Sequence, residues 1–362
     1  MIPLVKPFIA PAGEMMPEIE KILYSGYIAE GEKVYEFERT FGTDIENPNV
    51  LSLNSGTAAL HIALMLAGVG PGDEVISTAL TAEPTNVAIK LVGADVVWAD
   101  VDPATGLISP DSIREKISPK TKAIMVVHYA GMVCDMDRIS AIASESGIPV
   151  IEDTAHAMGS RYNGKPVGSH SAYTCFSLQA IKHLTTVDGG FIALKDDSQM
   201  SVGRKLRWFG LDKKVPRLQN DIRFPGYKYH MNNVIATIGL VQMRYISGIV
   251  DRHKDNGRYY DKKLQGIPGV TLLPYYPHTE PSYWLYTMKV EDRPGFVRMM
   301  EENGVLASEL HLRNDRHSIF ARSACQLPAL DNFYSHFVHI PCGWWVGDEQ
   351  RERIVSLIKK GW

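Results

Sequence analysis

Ile148-Pro149-Val150-Ile151-Glu152-Asp153-Thr154-Ala155-His156 is a short apolar run that ends in two carboxylates, a hydroxyl and an imidazole. A run this brief and apolar on both faces is the pattern of a strand buried inside a parallel sheet, with its polar tail at the carboxyl end. From about residue 50 to 195 the same rhythm repeats, an apolar run followed by a turn and a helical pattern. It predicts strands over 49–53, 74–77, 95–99, 123–127, 149–152, 173–177 and 190–193, with helices over 58–67, 85–91, 110–117 and 136–145 between them. The helix from Ala58 is apolar on nearly every side and is expected inside. The fold class that follows is α/β, a mostly parallel mixed central sheet flanked by helices. A long helical pattern over 232–249 closes a large domain, 1–249, whose first 25 or so residues form an N-terminal arm. Residues 250–362 mix helix with strands over 270–273, 283–289 and 337–340 and are expected to form a smaller C-terminal α+β domain.

Composition narrows the function. The 38 Lys and Arg balance 41 Asp and Glu, so no excess of positive charge points to nucleic acid or an acidic membrane surface. Cys134, Cys175, Cys325 and Cys342 lie at long, irregular spacings without a CxxC pair, which suggests neither a metal site nor a disulfide framework. The first residues lack a basic segment followed by an apolar core, and no stretch approaches the roughly 20 apolar residues of a membrane span. A cytoplasmic enzyme is the expectation. Arg204, Lys205, Arg207, Lys213, Lys214 and Arg217 read as a solvated face and loop, or as contacts for a substrate's phosphates.

Four pieces of the large domain carry chemistry. Asn54-Ser55-Gly56-Thr57-Ala58-Ala59-Leu60 runs from a strand end into the first turn of a helix, where free amides and the helix dipole make either an anion site or a plain capped turn. Asp153, closing its strand, is either a helix cap or a buried carboxylate able to pair with a protonated pyridine nitrogen, and His156, three residues on, is either structural or a contact for the same ring. In Cys175-Phe176-Ser177-Leu178-Gln179-Ala180-Ile181-Lys182-His183-Leu184-Thr185-Thr186-Val187-Asp188-Gly189-Gly190 a single lysine lies among apolar and hydroxyl side chains. Burial there lowers an amine pKa and frees it for imine chemistry, whereas the structural alternative is a lysine reaching past a strand end to solvent. Pro225-Gly226-Tyr227-Lys228-Tyr229-His230-Met231-Asn232-Asn233 is an aromatic and basic mix suited to interface packing or to a phosphate contact across a dimer.

Taken in order, these motifs resemble the DegT/DnrJ/EryC1/StrS family of sugar aminotransferases, pyridoxal 5'-phosphate (PLP) enzymes of fold type I. The resemblance runs from Gly26-Tyr27-Ile28-Ala29-Glu30-Gly31 into the small domain. It implies Lys182 as the Schiff-base lysine, Asp153 as the partner of the pyridine nitrogen, and His156 facing the ring oxygen. It implies a phosphate cradle of Gly56, Thr57, Ala58 and Ser177 with Gln179 beside it, and Lys228 reaching the cofactor phosphate of the neighbouring subunit in a homodimer. Ala82 departs from the pattern, since many relatives carry there an aromatic side chain that stacks on the PLP ring.

The implied reaction moves an amino group from L-glutamate to a nucleotide-linked keto sugar, a 4-keto or 3-keto 6-deoxyhexose, in lipopolysaccharide, O-antigen or other amino-sugar synthesis. His311, Arg313 and Arg316 in Glu309-Leu310-His311-Leu312-Arg313-Asn314-Asp315-Arg316-His317 are substrate-contact candidates, or members of exposed and interdomain ion pairs. Trp344-Trp345 reads as packing. Two alternatives remain: a PLP-dependent dehydratase or other fold-type I lyase, against which the intact Lys182 weighs, and a non-catalytic regulatory member of the family.

Overall fold

The structure, a computed structural model, describes residues 1–213 and 215–362, so the Lys214 reading lies outside the described residues. Five strands come first, β1 (Val50–Leu53), β2 (Glu74–Thr78), β3 (Asp95–Ala99), β4 (Thr121–Val127) and β5 (Val150–Asp153). Two-residue strands β6 (Arg161–Tyr162) and β7 (Lys165–Pro166) follow, then β8 (Tyr173–Ser177) and β9 (Gly190–Leu194). The last four are β10 (Val270–Leu272), β11 (Thr279–Glu280), β12 (Tyr286–Val290) and β13 (Phe337–Ile340).

Seven strands pair in the order β1-β9-β8-β5-β4-β2-β3. Only β9 runs against its neighbours, pairing antiparallel with both β1 and β8. The carboxyl ends of the other six therefore share one edge of the sheet, the edge where α/β folds bind ligands. Residues of β1, β5 and β9 are buried throughout, as their continuous apolar runs require with helices on both faces. Helix Gly56–Leu66 crosses that interior with seven buried residues. Strands β10, β12 and β13 form a separate antiparallel sheet whose core of Phe296, Met300, Val338 and Ile354 is distinct from that of the large sheet.

Three expectations need correction. The pattern over 232–249 is two helices, Asn233–Met243 and Ile246–Lys263, bent by 56° at Arg244-Tyr245. Apolar residues flank the break on both sides, so periodicity reads as one helix what the backbone divides at Tyr245, whose ring packs 5.2 Å from Phe8. The strand expected from 283 begins at Tyr286, because Tyr283 adopts a left-handed backbone with φ of 49°, which no strand accommodates. Arg207, read as part of a solvated face, is buried, with its guanidinium 2.6 Å from Glu38 and 2.9 Å from Glu30. Two carboxylates and the carbonyl of Ser52 replace its water, a pairing of residues far apart in sequence. No single helix among the described residues is long and apolar enough to cross a membrane.

Candidate active site

The end of β5 supplies the first two groups. Asp153 is buried, its Oδ2 accepting from the Thr85 hydroxyl at 2.7 Å and its Oδ1 from the Ala155 amide at 3.0 Å. Burial pushes its carboxyl up from the usual range, opposed by those two hydrogen bonds and by the charge of Lys182. A carboxylate held this dry gains most by meeting a cationic partner. Three residues on, burial holds His156 well below the ordinary histidine value, reinforced by the charge of Lys182 and by neighbouring histidines. Its Nδ1 accepts from the Ala130 amide at 3.4 Å, which places the ring proton on Nε2, and Nε2 has no partner. A buried N–H without an acceptor costs free energy unless a ligand completes it.

Lys182 lies in the loop between β8 and β9. Burial pushes its amine down to about 8, opposed by the charge of Asp153. The Nζ sits 4.3 Å from the centroid of the Trp284 ring, and the other neighbour of that indole is His156, stacked at 3.9 Å. Lys182, Trp284 and His156 thus form a layered group with Asp153 beside it.

The cradle is built where β1 enters helix Gly56–Leu66. Ser55 caps the helix by accepting from the Ala58 amide at 3.1 Å, leaving the amides of Gly56 and Thr57 ahead of the first intrahelical bond. A Cβ on Gly56 would lie 2.8 Å from Cβ of Ser177, so only glycine lets the end of β8 approach this closely. Gln179, exposed, donates its amide to Ser177 Oγ at 3.4 Å and accepts from the Ile181 amide at 3.2 Å, shaping the turn that leads to Lys182.

From the C-terminal part, only some candidates enter this cluster. The His311 ring lies parallel to that of His156 at 5.9 Å, burial pushes it down to about 4, and its Nε2 is unpartnered. Leu310 before it has φ of 65°, a strained conformation that turns the imidazole inward. Arg313 is buried but committed: it grips both oxygens of Asp315 at 2.7 and 2.8 Å and also binds Asp331. Arg316 is exposed, 3.9 Å from Asp331. Lys228 is exposed too, while its carbonyl accepts from Asn54 at 3.2 Å and so pins this segment beside the cradle. Ala82 is the N-cap of helix Glu83–Leu91 and brings no ring. Trp284, Thr85 and Tyr129, whose ring lies 5.6 Å from that of His156, have no signal in the sequence, because each reaches the site from a distant segment.

A cavity of about 790 Å³ lies elsewhere, lined by Glu30, Tyr35, Glu38, Arg204, Arg207 and Trp208 among others, and holds none of the groups above. The groups able to carry chemistry gather at the sheet edge: an orphaned imidazole N–H, a depressed amine, a buried carboxylate and a helix N-terminus closed by glycine. That set fits PLP, with ring nitrogen, ring oxygen, aldehyde carbon and phosphate each offered a complementary partner.

The profile of the DegT/DnrJ/EryC1/StrS aminotransferase family matches residues 11–359. This chain belongs to that family. It is therefore a PLP-dependent aminotransferase of fold type I. Among similar proteins, the spore coat polysaccharide biosynthesis protein SpsC of Bacillus subtilis is 30% identical, over 96% of this chain and 94% of that protein. The sugar aminotransferase CalS13 of Micromonospora echinospora superimposes with a TM-score of 0.97 at 39% identity over 100% of both chains. The PLP form of a sugar aminotransferase from Streptococcus pneumoniae, Spr1654, gives 0.91 at 29% identity over 99% of this chain and 98% of its own.

Proposed function

We propose that this sugar aminotransferase moves an amino group from L-glutamate to a nucleotide-linked keto sugar, a 3-keto or 4-keto 6-deoxyhexose, in the cytoplasm. The observation that carries the reading is the layered group of Lys182, Trp284 and His156 beside Asp153, at the same sheet edge as the Gly56 cradle. PLP, when bound, supplies the electron sink that makes an amine's α-proton removable. Lys182 holds the cofactor and, once free, takes and returns that proton at Nζ; with its amine pushed down to about 8, a useful fraction is neutral near physiological pH. Asp153 pairs with the ring nitrogen, His156 donates Nε2–H to the ring oxygen, and Gly56, Thr57, Ala58 and Ser177 hold the phosphate, with Gln179 shaping their turn.

His311 donates or accepts at the sugar, Arg316 reaches the nucleotide's phosphates, and Arg313 holds the loop that carries both. Residues 1–249 bind the cofactor and 250–362 cover it. The active unit is a homodimer in which Lys228 reaches the partner's cofactor phosphate. Apolar side chains left in water support this, since Tyr24, Tyr27 and Ile28 on the arm and Phe209, Leu218 and Ile222 on the loop before Lys228 are all exposed. Polysaccharide synthesis in a spore coat, the setting named for SpsC, supports a surface glycan such as an O-antigen as the destination.

The test is to incubate the purified protein with PLP, glutamate and a panel of nucleotide-linked 3-keto and 4-keto 6-deoxy sugars, and to read products by mass spectrometry. A single keto-to-amine mass change is expected. Loss of water without amine transfer, or no change across the panel, overturns the reading.

A further inference from the structure

The indole of Trp284 is held by one hydrogen bond of its own and by a braced backbone at the residue before it. Its Nε1 donates to the carbonyl of Ile181, the residue before Lys182, at 2.9 Å. Tyr283, before it, carries the left-handed φ of 49° noted above, held by three anchors: its hydroxyl donates to Asp261 at 2.7 Å, its carbonyl meets Nδ1 of His253 at 2.8 Å, and Gly131 packs beneath it. A Cβ on Gly131 would fall 2.8 Å from the Tyr283 nitrogen and 2.9 Å from that of Trp284. Asp261 accepts as well from the hydroxyls of Tyr275 and Tyr286 at 2.9 Å each, so one carboxylate ties three tyrosines around this strap. Strained backbone that its surroundings over-determine belongs to function more often than to stability.

What the strap presents is an indole ring with His156 stacked on it at 3.9 Å and the amine of Lys182 over it, 4.3 Å from its centroid. Around that amine the titratable groups are Asp153 from the end of β5, His156 after it, His183 next in the loop and His311 from the small-domain loop. The three imidazoles are buried or nearly so and neutral, leaving Asp153 as the single carboxylate near Nζ. A face-on indole is the remaining source of attraction for a cation there.

We propose that Trp284 is a positioning residue for Lys182, its indole face seating the ε-ammonium whenever the lysine is free of the cofactor. The seat does two things. Its hydrogen bond to Ile181 fixes the backbone from which Lys182 swings, and its ring face offsets part of the desolvation of the ammonium that forms once the lysine has taken a proton. This rests on the assignment of Lys182 made in the proposed function.

The experiment uses full-length holoenzyme. Borohydride reduction of the PLP form followed by peptide mass spectrometry first locates the cofactor-bearing lysine; Lys182 is expected, and a label on another lysine overturns the site reading and this inference with it. Tryptophan analogues with one, two and three ring fluorines are then placed at position 284, which weakens the ring face without changing its shape. In the pyridoxamine-phosphate form the Lys182 amine is free, and its titration is read by pH-dependent acylation with acetic anhydride. The midpoint is expected to fall stepwise, by about one pH unit across the series. A flat series with the cofactor on Lys182 overturns the role of Trp284 alone. Trp284→Phe, which keeps a smaller ring and loses Nε1–H, is expected to fall within the series, and a midpoint equal to wild type counts against the seat.

Discussion

The edge of the large sheet and the small-domain loop over 308–317 face the same site with opposite economies of charge. At the sheet edge, Asp153, His156 and Lys182 are held in unfavourable states by burial, with pKa values displaced away from charge and, at His156, an N–H left without an acceptor. In the loop, the residue that looks best equipped for an anion, Arg313, has its guanidinium consumed by Asp315 and Asp331, whereas the plainer His311 brings an unpartnered nitrogen. The lesson is that poised chemistry shows itself as unmet demand. A fully satisfied ion pair, however well it suits a phosphate on paper, is a brace.

The sharpest way to break this contrast is Lys182→Gln. Turnover is expected to fall roughly 1,000-fold or more while PLP stays bound without a covalent link, read by steady-state kinetics and by the loss of the imine absorbance band. Near-normal rates would remove the sheet edge from the chemistry.

Next in size is acid lability. His253 and His311 are pushed down to about 4 and His339 to about 3 by burial. Between the ordinary value of 6.5 and those values the unfolded chain binds protons that the folded one refuses, so stability falls as pH drops through that window. Each histidine contributes up to about 1.4 kcal/mol per pH unit, and thermal melts from pH 7 to 4.5 are expected to show the decline, shallower in His339→Gln. A melting temperature independent of pH there would mean that these rings are not held neutral.

Within the loop, Arg313→Ala is expected to cost about 2 kcal/mol of stability by stripping Asp315 of its partner, measured by denaturant unfolding. His311→Asn should leave the melting temperature at pH 7 nearly unchanged and raise the KM for the keto sugar about tenfold, the cost of one hydrogen bond to substrate. Should Arg313→Ala move KM and spare stability, the brace and the contact have been assigned the wrong way round. Smallest of all, Arg316→Ala is expected to stay within about 0.5 kcal/mol in stability, since its side chain is exposed and 3.9 Å from its nearest carboxylate.

Much of this was written along the chain. The strands of the large sheet announce themselves as apolar runs because each is buried on both faces, and Ser55–Leu60, Asp153–His156 and Ser177–Lys182 are local segments whose spacing is set by a strand end and the turn after it. Local geometry is what a sequence encodes directly, so the helix start at Gly56, the carboxylate at the end of its strand and the lysine in its loop stood out as candidates before any coordinates. Tertiary structure alone decided which of the loop's charges were already spent, that Arg207 is buried between Glu30 and Glu38, that the helical pattern near 244 bends, and that Trp284 reaches Lys182 from about a hundred residues away. Each of these depends on which distant segments become neighbours once the sheet order β1-β9-β8-β5-β4-β2-β3 is set, and burial and pairing, unlike periodicity, exist only after that folding has taken place.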